Sequence, residues 1–500
     1  MSGPTLSRTQ VVRPAGAGHE TLYVLLVSLL IVALASTVVL LRGEREDEQV
    51  IASHQIDARR DLSAAEQGIY TDLRVAFDEI QLLREETATT PPVDMLAEEG
   101  LPPFVVDAGS QSRGGHQWSW LPTGAYLGLS QAPQVAGSFL LILPSDSNGQ
   151  ADVWLRRDSA ALTPDDLGQA ALIAAGWQQV VSHYDAGVTR EHRHNPRNSS
   201  MFRSAFALLL ACAFPLMALA DTGKPLRIGI TLHPYYSYVS NIVGDKAEVV
   251  PLIPAGFNPH AYEPRAEDIK RIGTLDVVVL NGVGHDDFAD RMIAASEKPD
   301  IKTIEANQNV PLLAATGIAA RGAGKVVNPH TFLSISTTIA QVNNIARELG
   351  KLDPDNAKFY TQNARAYAKR LRALRAEALA KVTEAPDATF RVATIHAAYD
   401  YLVRDFGLEV TAVVEPAHGI EPSPAQLKKT IDQLKALDVK VIFSEMDFPS
   451  AYVETIQRES GVRLYPLTHI SYGEYTKEKY EVEMKRNLDT VVRAIQENRA

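Results

Sequence analysis

Apolar positions follow three different rhythms along this 500-residue chain, and each predicts a different kind of element. Residues 22–41 form an uncharged apolar run long enough to cross a bilayer. Arg42-Gly43-Glu44-Arg45-Glu46-Asp47 follows it directly, so the run reads as a transmembrane helix and not as a cleaved leader. Arg8 and Arg13 before the run balance Arg42 and Arg45 after it, which leaves its orientation open. The stretch Glu46–Glu86 predicts helix, because Leu62, Ile69, Leu73, Ala76, Ile80 and Leu83 share one stripe. Strand-like pieces follow at Phe104–Asp107, Gln117–Leu121, Gly137–Leu143 and Ala151–Arg156. A last helix is predicted from Leu162, with Thr163 as N-cap and Pro164 in its first turn. Residues 42–200 therefore read as a membrane-anchored small α+β domain with a linker, and no activity is assigned to them.

From residue 221 the rhythm changes to short, wholly apolar runs separated by helical patterns. The runs Leu226–Leu232, Glu248–Ile253, Asp276–Leu280 and Ile301–Ile304 form one set. Arg391–Ile395, Glu409–Val414, Val439–Ser444 and Val462–Tyr465 form a second. Strands buried on both faces and alternating with helices imply parallel sheets, here two lobes of α/β class. Between the sets, Asp355–Val382 contains neither Gly nor Pro and predicts one long helix, about 40 Å at 1.5 Å per residue. Asp353 and Pro354 introduce it as N-cap and first turn. The expected boundaries are 221–353 for the first lobe, 354–385 for the linking helix and 386–500 for the second lobe.

A segment at 201–220 interrupts this order. Met201-Phe202-Arg203-Ser204, an apolar stretch and Ala218-Leu219-Ala220 before Asp221 form the pattern of a secretory signal peptide, but an internal one. The expectation is of two neighbouring products joined in one frame, whether as a natural fusion or as two joined reading frames.

Charge and cysteine content narrow the functions. A net charge of −11 without a basic, aromatic-interleaved stripe argues against nucleic acid. Cys212 stands alone, so there is no disulfide framework, and any metal must be held by His, Asp or Glu. His260 lies in Gly256-Phe257-Asn258-Pro259-His260-Ala261-Tyr262-Glu263-Pro264, His330 in Asn328-Pro329-His330, and His396 in Thr394-Ile395-His396-Ala397-Ala398-Tyr399. Three neutral imidazoles form a partial shell suited above all to zinc.

These motifs, with Asp276–Gly284, Leu352-Asp353-Pro354, Phe406-Gly407-Leu408 and Glu421-Pro422-Ser423-Pro424, carry a resemblance. Residues 201–500 resemble the metal-binding, cluster A-I, zinc-type periplasmic solute-binding proteins of ABC transporters. The resemblance implies two α/β lobes joined by a rigid helix, with a metal in the cleft held by His260, His330 and His396. Manganese-type members carry Glu where His396 stands, so the expected ion is Zn2+ rather than Mn2+. Many relatives supply an Asp where this chain has Ser471. His469 or a water would then complete the shell, with Glu474 as a further candidate. Glu445 is expected to orient a ligand through a hydrogen bond, and Tyr262, His285 and His233 to border the cleft. The His-rich loop of zinc-type relatives is absent, as residues 286–328 contain no His.

The function this implies is extracytoplasmic capture of zinc and delivery to an ABC importer permease, with no catalysis. Residues 221–500 would be periplasmic, and 22–41 would anchor the N-terminal part in the inner membrane. Capture should weaken below about pH 6, because imidazoles must be neutral to bind. A zinc-dependent hydrolase is an alternative, although no His-Glu-x-x-His motif is present. A metal-binding adhesin or chaperone is another.

Overall fold

The computed structural model describes Ser28 and residues 51–498, apart from 145–149, 159–162, 183–223, 256, 258, 260–261, 315–326, 383–390, 416–421 and 447–451. The runs at 22–41 (Ser28 excepted) and 201–220 lie outside the described residues, as does His260. Among the described residues no helix is long and apolar enough to cross a membrane.

The first domain contains β1 (Gln55–Asp57), α1 (Ala64–Thr87), α2 (Val93–Glu98), α3 (Ala108–Ser112), β2 (Gln117–Leu121), β3 (Ala125–Leu129), β4 (Ser138–Ile142), β5 (Asp152–Arg156), α4 (Gln169–Ala174) and β6 (Gln178–Val181). Its six-stranded sheet runs β1-β6-β5-β4-β3-β2. It is antiparallel except for the parallel pair β1–β6.

Three expectations for this domain are corrected. The helix expected from Glu46 begins at Ala64, because Ser63 and Glu66 close a capping box: Glu66 N donates to Ser63 Oγ at 3.2 Å, and Ser63 N donates to Glu66 Oε2 at 2.9 Å. The strand expected at Phe104–Asp107 is absent, since Asp107 caps α3 through Ser110 N at 2.7 Å. The helix expected from Leu162 starts instead at Gln169, without a side-chain cap. Strand β3 carries Gly128 beneath the Trp118 indole; a Cβ there would lie 2.6 Å from the ring.

The second region contains β7 (Leu226–Ile230), α5 (His233–Val243), β8 (Ala247–Pro251), α6 (Ala266–Ile272), β9 (Val277–Leu280), α7 (Asp287–Ala295) and β10 (Lys302–Glu305). After a 3-10 turn at Thr331–Leu333 come α8 (Ile335–Leu352), a second 3-10 turn at Pro354–Asn356, and α9 (Ala357–Ala380). The remainder is β11 (Arg391–Thr394), α10 (Asp400–Arg404), β12 (Val410–Val413), α11 (Pro424–Ala436), β13 (Val439–Glu445), α12 (Val453–Ser460), β14 (Arg463–Leu467) and α13 (Lys479–Glu497). The two sheets, β10-β9-β7-β8 and β12-β11-β13-β14, are each wholly parallel.

Each sheet places its first strand between its second and third, so both lobes share one strand order. The central runs are apolar because both faces are covered: Val277, Val278 and Val279 are all at most 1% exposed.

The long helix splits from the expected outline at its start. Asp353 heads the 3-10 turn, and its carboxylate accepts from Tyr360 Oη at 2.6 Å and Asn356 Nδ2 at 2.9 Å, clipping the turn to the helix. Helix α9 itself has 24 residues, about 36 Å. It bonds to the first lobe through Asn363 Nδ2 and Ile242 O at 2.9 Å. Lys381, just past its end, bonds Asp489 of α13 at 3.1 Å. One apolar core runs from Ile228 and Val277 through Leu371 of α9 to Val392 and Val441.

Candidate metal centre

In open parallel sheets, ligands sit beyond the carboxyl ends of the strands, where neighbouring strands connect in opposite directions. Those points are β7/β9 in the first lobe and β11/β13 in the second. Residues just beyond these ends supply His285 and His396, and Glu445 ends β13.

His285 is set by the loop after β9. The buried Asp286 carboxylate gathers that loop, accepting from Thr231 Oγ1 at 2.6 Å, Asn281 N at 2.6 Å and Gly282 N at 3.3 Å. Gly282 and Gly284 take φ of 78° and 85°, a left-handed backbone that favours glycine. The tight winding leaves His285 buried. His330 precedes the first 3-10 turn, and Asn328 accepts from its backbone N at 3.1 Å and meets its Nδ1 at 2.8 Å. Asn328 Nδ2 in turn donates to Ala397 O at 2.8 Å, so the same side chain ties His330 to the loop of His396.

His396 follows β11, and its Nδ1 meets Glu445 Oε1 at 2.9 Å. A carboxylate only accepts, so Nδ1 carries the proton and Nε2 keeps its lone pair. Burial lowers the His396 pKa to about 4, against the opposing pull of the Glu415 carboxylate. Glu415 is itself buried and accepts from Tyr452 Oη at 2.5 Å. His469 lies two residues past β14, with its Nδ1 3.0 Å from Ser471 Oγ across Ile470, whose φ is 60°. Thr468 is fixed to Asn487 of α13 by reciprocal bonds of 2.8 Å, which hold this corner in place.

The four rings converge. His330 lies 5.0 Å from His285, 4.6 Å from His396 and 5.2 Å from His469, centroid to centroid. His469 lies 5.9 Å from both His285 and His396. Nitrogens of His285, His330 and His469 all fall within 4.8 Å of one another. A buried set of imidazoles of this kind fits a nitrogen-preferring divalent ion.

The other expected residues fall as follows. Ser471 lies behind His469, and Glu445 behind His396. Tyr262 is buried but donates to Asp268 Oδ2 at 2.5 Å, supporting the loop before α6. Glu474 is exposed. His233 stacks on Tyr475 at 3.9 Å and bonds Gly473 O at 3.0 Å, so it joins the first lobe to the loop after His469. Asn328 and Glu415 were not singled out by the sequence. The signal for Asn328 was its place two residues before His330.

Two lobes of identical strand order around buried imidazoles define a metal-binding solute-binding protein. Residues 228–494 match the family described as zinc-uptake complex component A, periplasmic, and the chain belongs to that family. Residues 56–185 match a family of unknown function, DUF6162. The chain is 31% identical over 300 residues to the zinc-binding lipoprotein AdcA of Streptococcus pneumoniae, covering 56% of this chain and 59% of that protein. It is similar to the SBP FpvC from Pseudomonas aeruginosa in complex with Mn2+, with 86% identity and a TM-score of 0.54 over 55% of this chain and 99% of that one. The Ni2+ complex of FpvC matches with 82% identity and a TM-score of 0.53, over 55% of this chain and 99% of that one. These relatives are metal-binding transport proteins and not enzymes, which sets the hydrolase reading aside.

Proposed function

We propose that residues 221–500 capture a divalent transition metal outside the cytoplasm, zinc in preference to manganese, and pass it to an ABC importer permease. The observation that carries this reading is the convergence of His285 and His330 from the first lobe with His396 and His469 from the second. Nδ1 of His330, His396 and His469 is engaged by Asn328, Glu445 and Ser471, which leaves Nε2 as the nitrogen that each would offer to an ion. Nitrogen donors suit zinc and nickel, whereas manganese prefers carboxylate oxygen. The relatives bind zinc in one case and hold Mn2+ or Ni2+ in others, so selectivity is the quantity to measure. His260, from the first-ligand motif, remains part of the proposed set.

Competitive titration of metal-free protein with zinc, nickel and manganese tests the reading. Zinc should displace manganese, and a site that prefers manganese would sink the zinc assignment. Loss of zinc uptake on deletion of the gene tests delivery. In the same reading the run at 22–41 anchors the first domain, and the segment at 201–220 exports the second. Mass analysis of the envelope-derived protein decides this: a chain starting near Asp221 supports it, and an uncut chain rejects the second step.

A further inference from the structure

Helix α9 carries a basic row, Arg365, Lys369, Arg372 and Arg375, whose spacings of four, three and three place it on one helix face. The first domain meets this row with an acidic one. Asp72, Glu79 and Glu86 recur every seven residues along α1, and Glu99 follows α2. Arg365 Nε lies 3.3 Å from Glu79 Oε2, and its Nη1 lies 2.9 Å from Glu86 Oε1. Lys369 Nζ lies 3.3 Å from Glu99 Oε2, and Arg372 Nη1 3.6 Å from Glu79 Oε1.

Asp72 is the centre of the contact. It is 2% exposed and accepts from Arg375 Nη1 at 3.0 Å, Arg113 Nη1 at 2.7 Å and Ser336 Oγ at 3.1 Å. Burial alone would raise its carboxyl, but the two guanidiniums overcome that and hold it below the ordinary range. Arg375 also lies 3.9 Å from Asp405, which accepts from Ser334 Oγ at 2.7 Å. The Asp72 network thereby reaches α8, α9 and the end of α10. Apolar contact accompanies the charges. Val75 of α1 belongs to the same core as Leu371 of α9, and Gly109 lies so close to Leu379 that a Cβ would sit 2.6 Å from its Cδ1.

Buried arginines are tolerated where carboxylates of good geometry meet them, and are costly where one partner is removed. A row of four cations matched by four carboxylates is therefore specific to its partner. The metal-binding module does not need this partner to fold, since the similar FpvC structure consists of that module. The first domain has its own apolar core around Leu73, Phe139 and Leu155.

We propose that the first domain is the dedicated partner of this basic face, and that the two modules form a complex independent of the chain that joins them. Processing within 201–220 would then yield two chains that stay together.

The test uses the full chain with a specific protease site inserted between residues 183 and 223. After cleavage, the halves should co-elute in gel filtration at micromolar concentration. Asp72→Asn, in the first domain, and Arg375→Gln, in the second, should each weaken association roughly 100-fold or more, because each removes the buried Asp72–Arg375 pair that joins the two domains. Circular dichroism of each half, and metal binding by the second, report that both remain folded. Wild-type halves that separate while folded overturn the proposal, as do variants that associate like wild type.

Discussion

Glu445 stands behind His396 in the proposed metal site. Its bond to His396 Nδ1 fixes the tautomer and the ring plane. Glu445→Ala should lower zinc affinity about 10–100-fold with the fold intact, as read by competition titration. An unchanged affinity would mean that His396 is oriented by other contacts. The buried imidazoles also set a pH response. His233 and His396 are both lowered by burial to about 4, from an ordinary value near 6.5. Between these limits the unfolded chain binds more protons than the folded one. Their contribution is therefore intact above about pH 6.5 and is lost as pH falls toward 4, by up to about 1.4 kcal/mol per unit for each group. Denaturant unfolding of metal-free protein across pH 7 to 4 should show this slope, and His233→Asn should flatten it.

At the scale of elements, the loop from Asn281 to Asp286 is the clearest case of a site made by backbone winding. Asp286→Ala would take the acceptor from two loop amides and leave Thr231 Oγ1 only its 3.4 Å bond to Val279 O. Each such buried group left unpaired costs about 1–3 kcal/mol, so the loop should loosen and His285 should leave the cluster. A lower melting temperature together with weaker zinc binding is the expected pair of readings. Melting alone would mean that His285 is not a ligand. This loop also marks where sequence reading reached its limit. Val277–Leu280 was legible as a buried parallel strand, since only such strands are apolar at every position. The inward turn of His285 was not, because it depends on two positive-φ glycines and a carboxylate that caps no helix. The acidic row on α1 has a related explanation: charges at seven-residue spacing flanking an apolar stripe read as a solvated face, and only the docked partner shows otherwise.

At the scale of the whole molecule, the two-lobe architecture and its linking helix could be read from the alternation of apolar runs and helical patterns. The seating of the first domain on α9 could not, because no local pattern names a distant partner. An ion bound between the lobes should stabilise the second region as a unit. Zinc at a hundred times its dissociation constant should add about 2.7 kcal/mol, and EDTA should abolish the gain. His396→Ala and His469→Ala should each remove most of the rise in melting temperature, and a rise that persists in both would place the ion elsewhere. The distribution of the imidazoles has a consequence for release. Among the described residues each lobe brings two rings to the cluster, and with His260 the proposed set is still divided between the lobes, so neither half alone would supply the whole shell. Tight binding then depends on the effective concentration at which one half presents its ligands to the other, a quantity that falls as the halves move apart. A small separation of the lobes would hand the ion over without changing a single ligand.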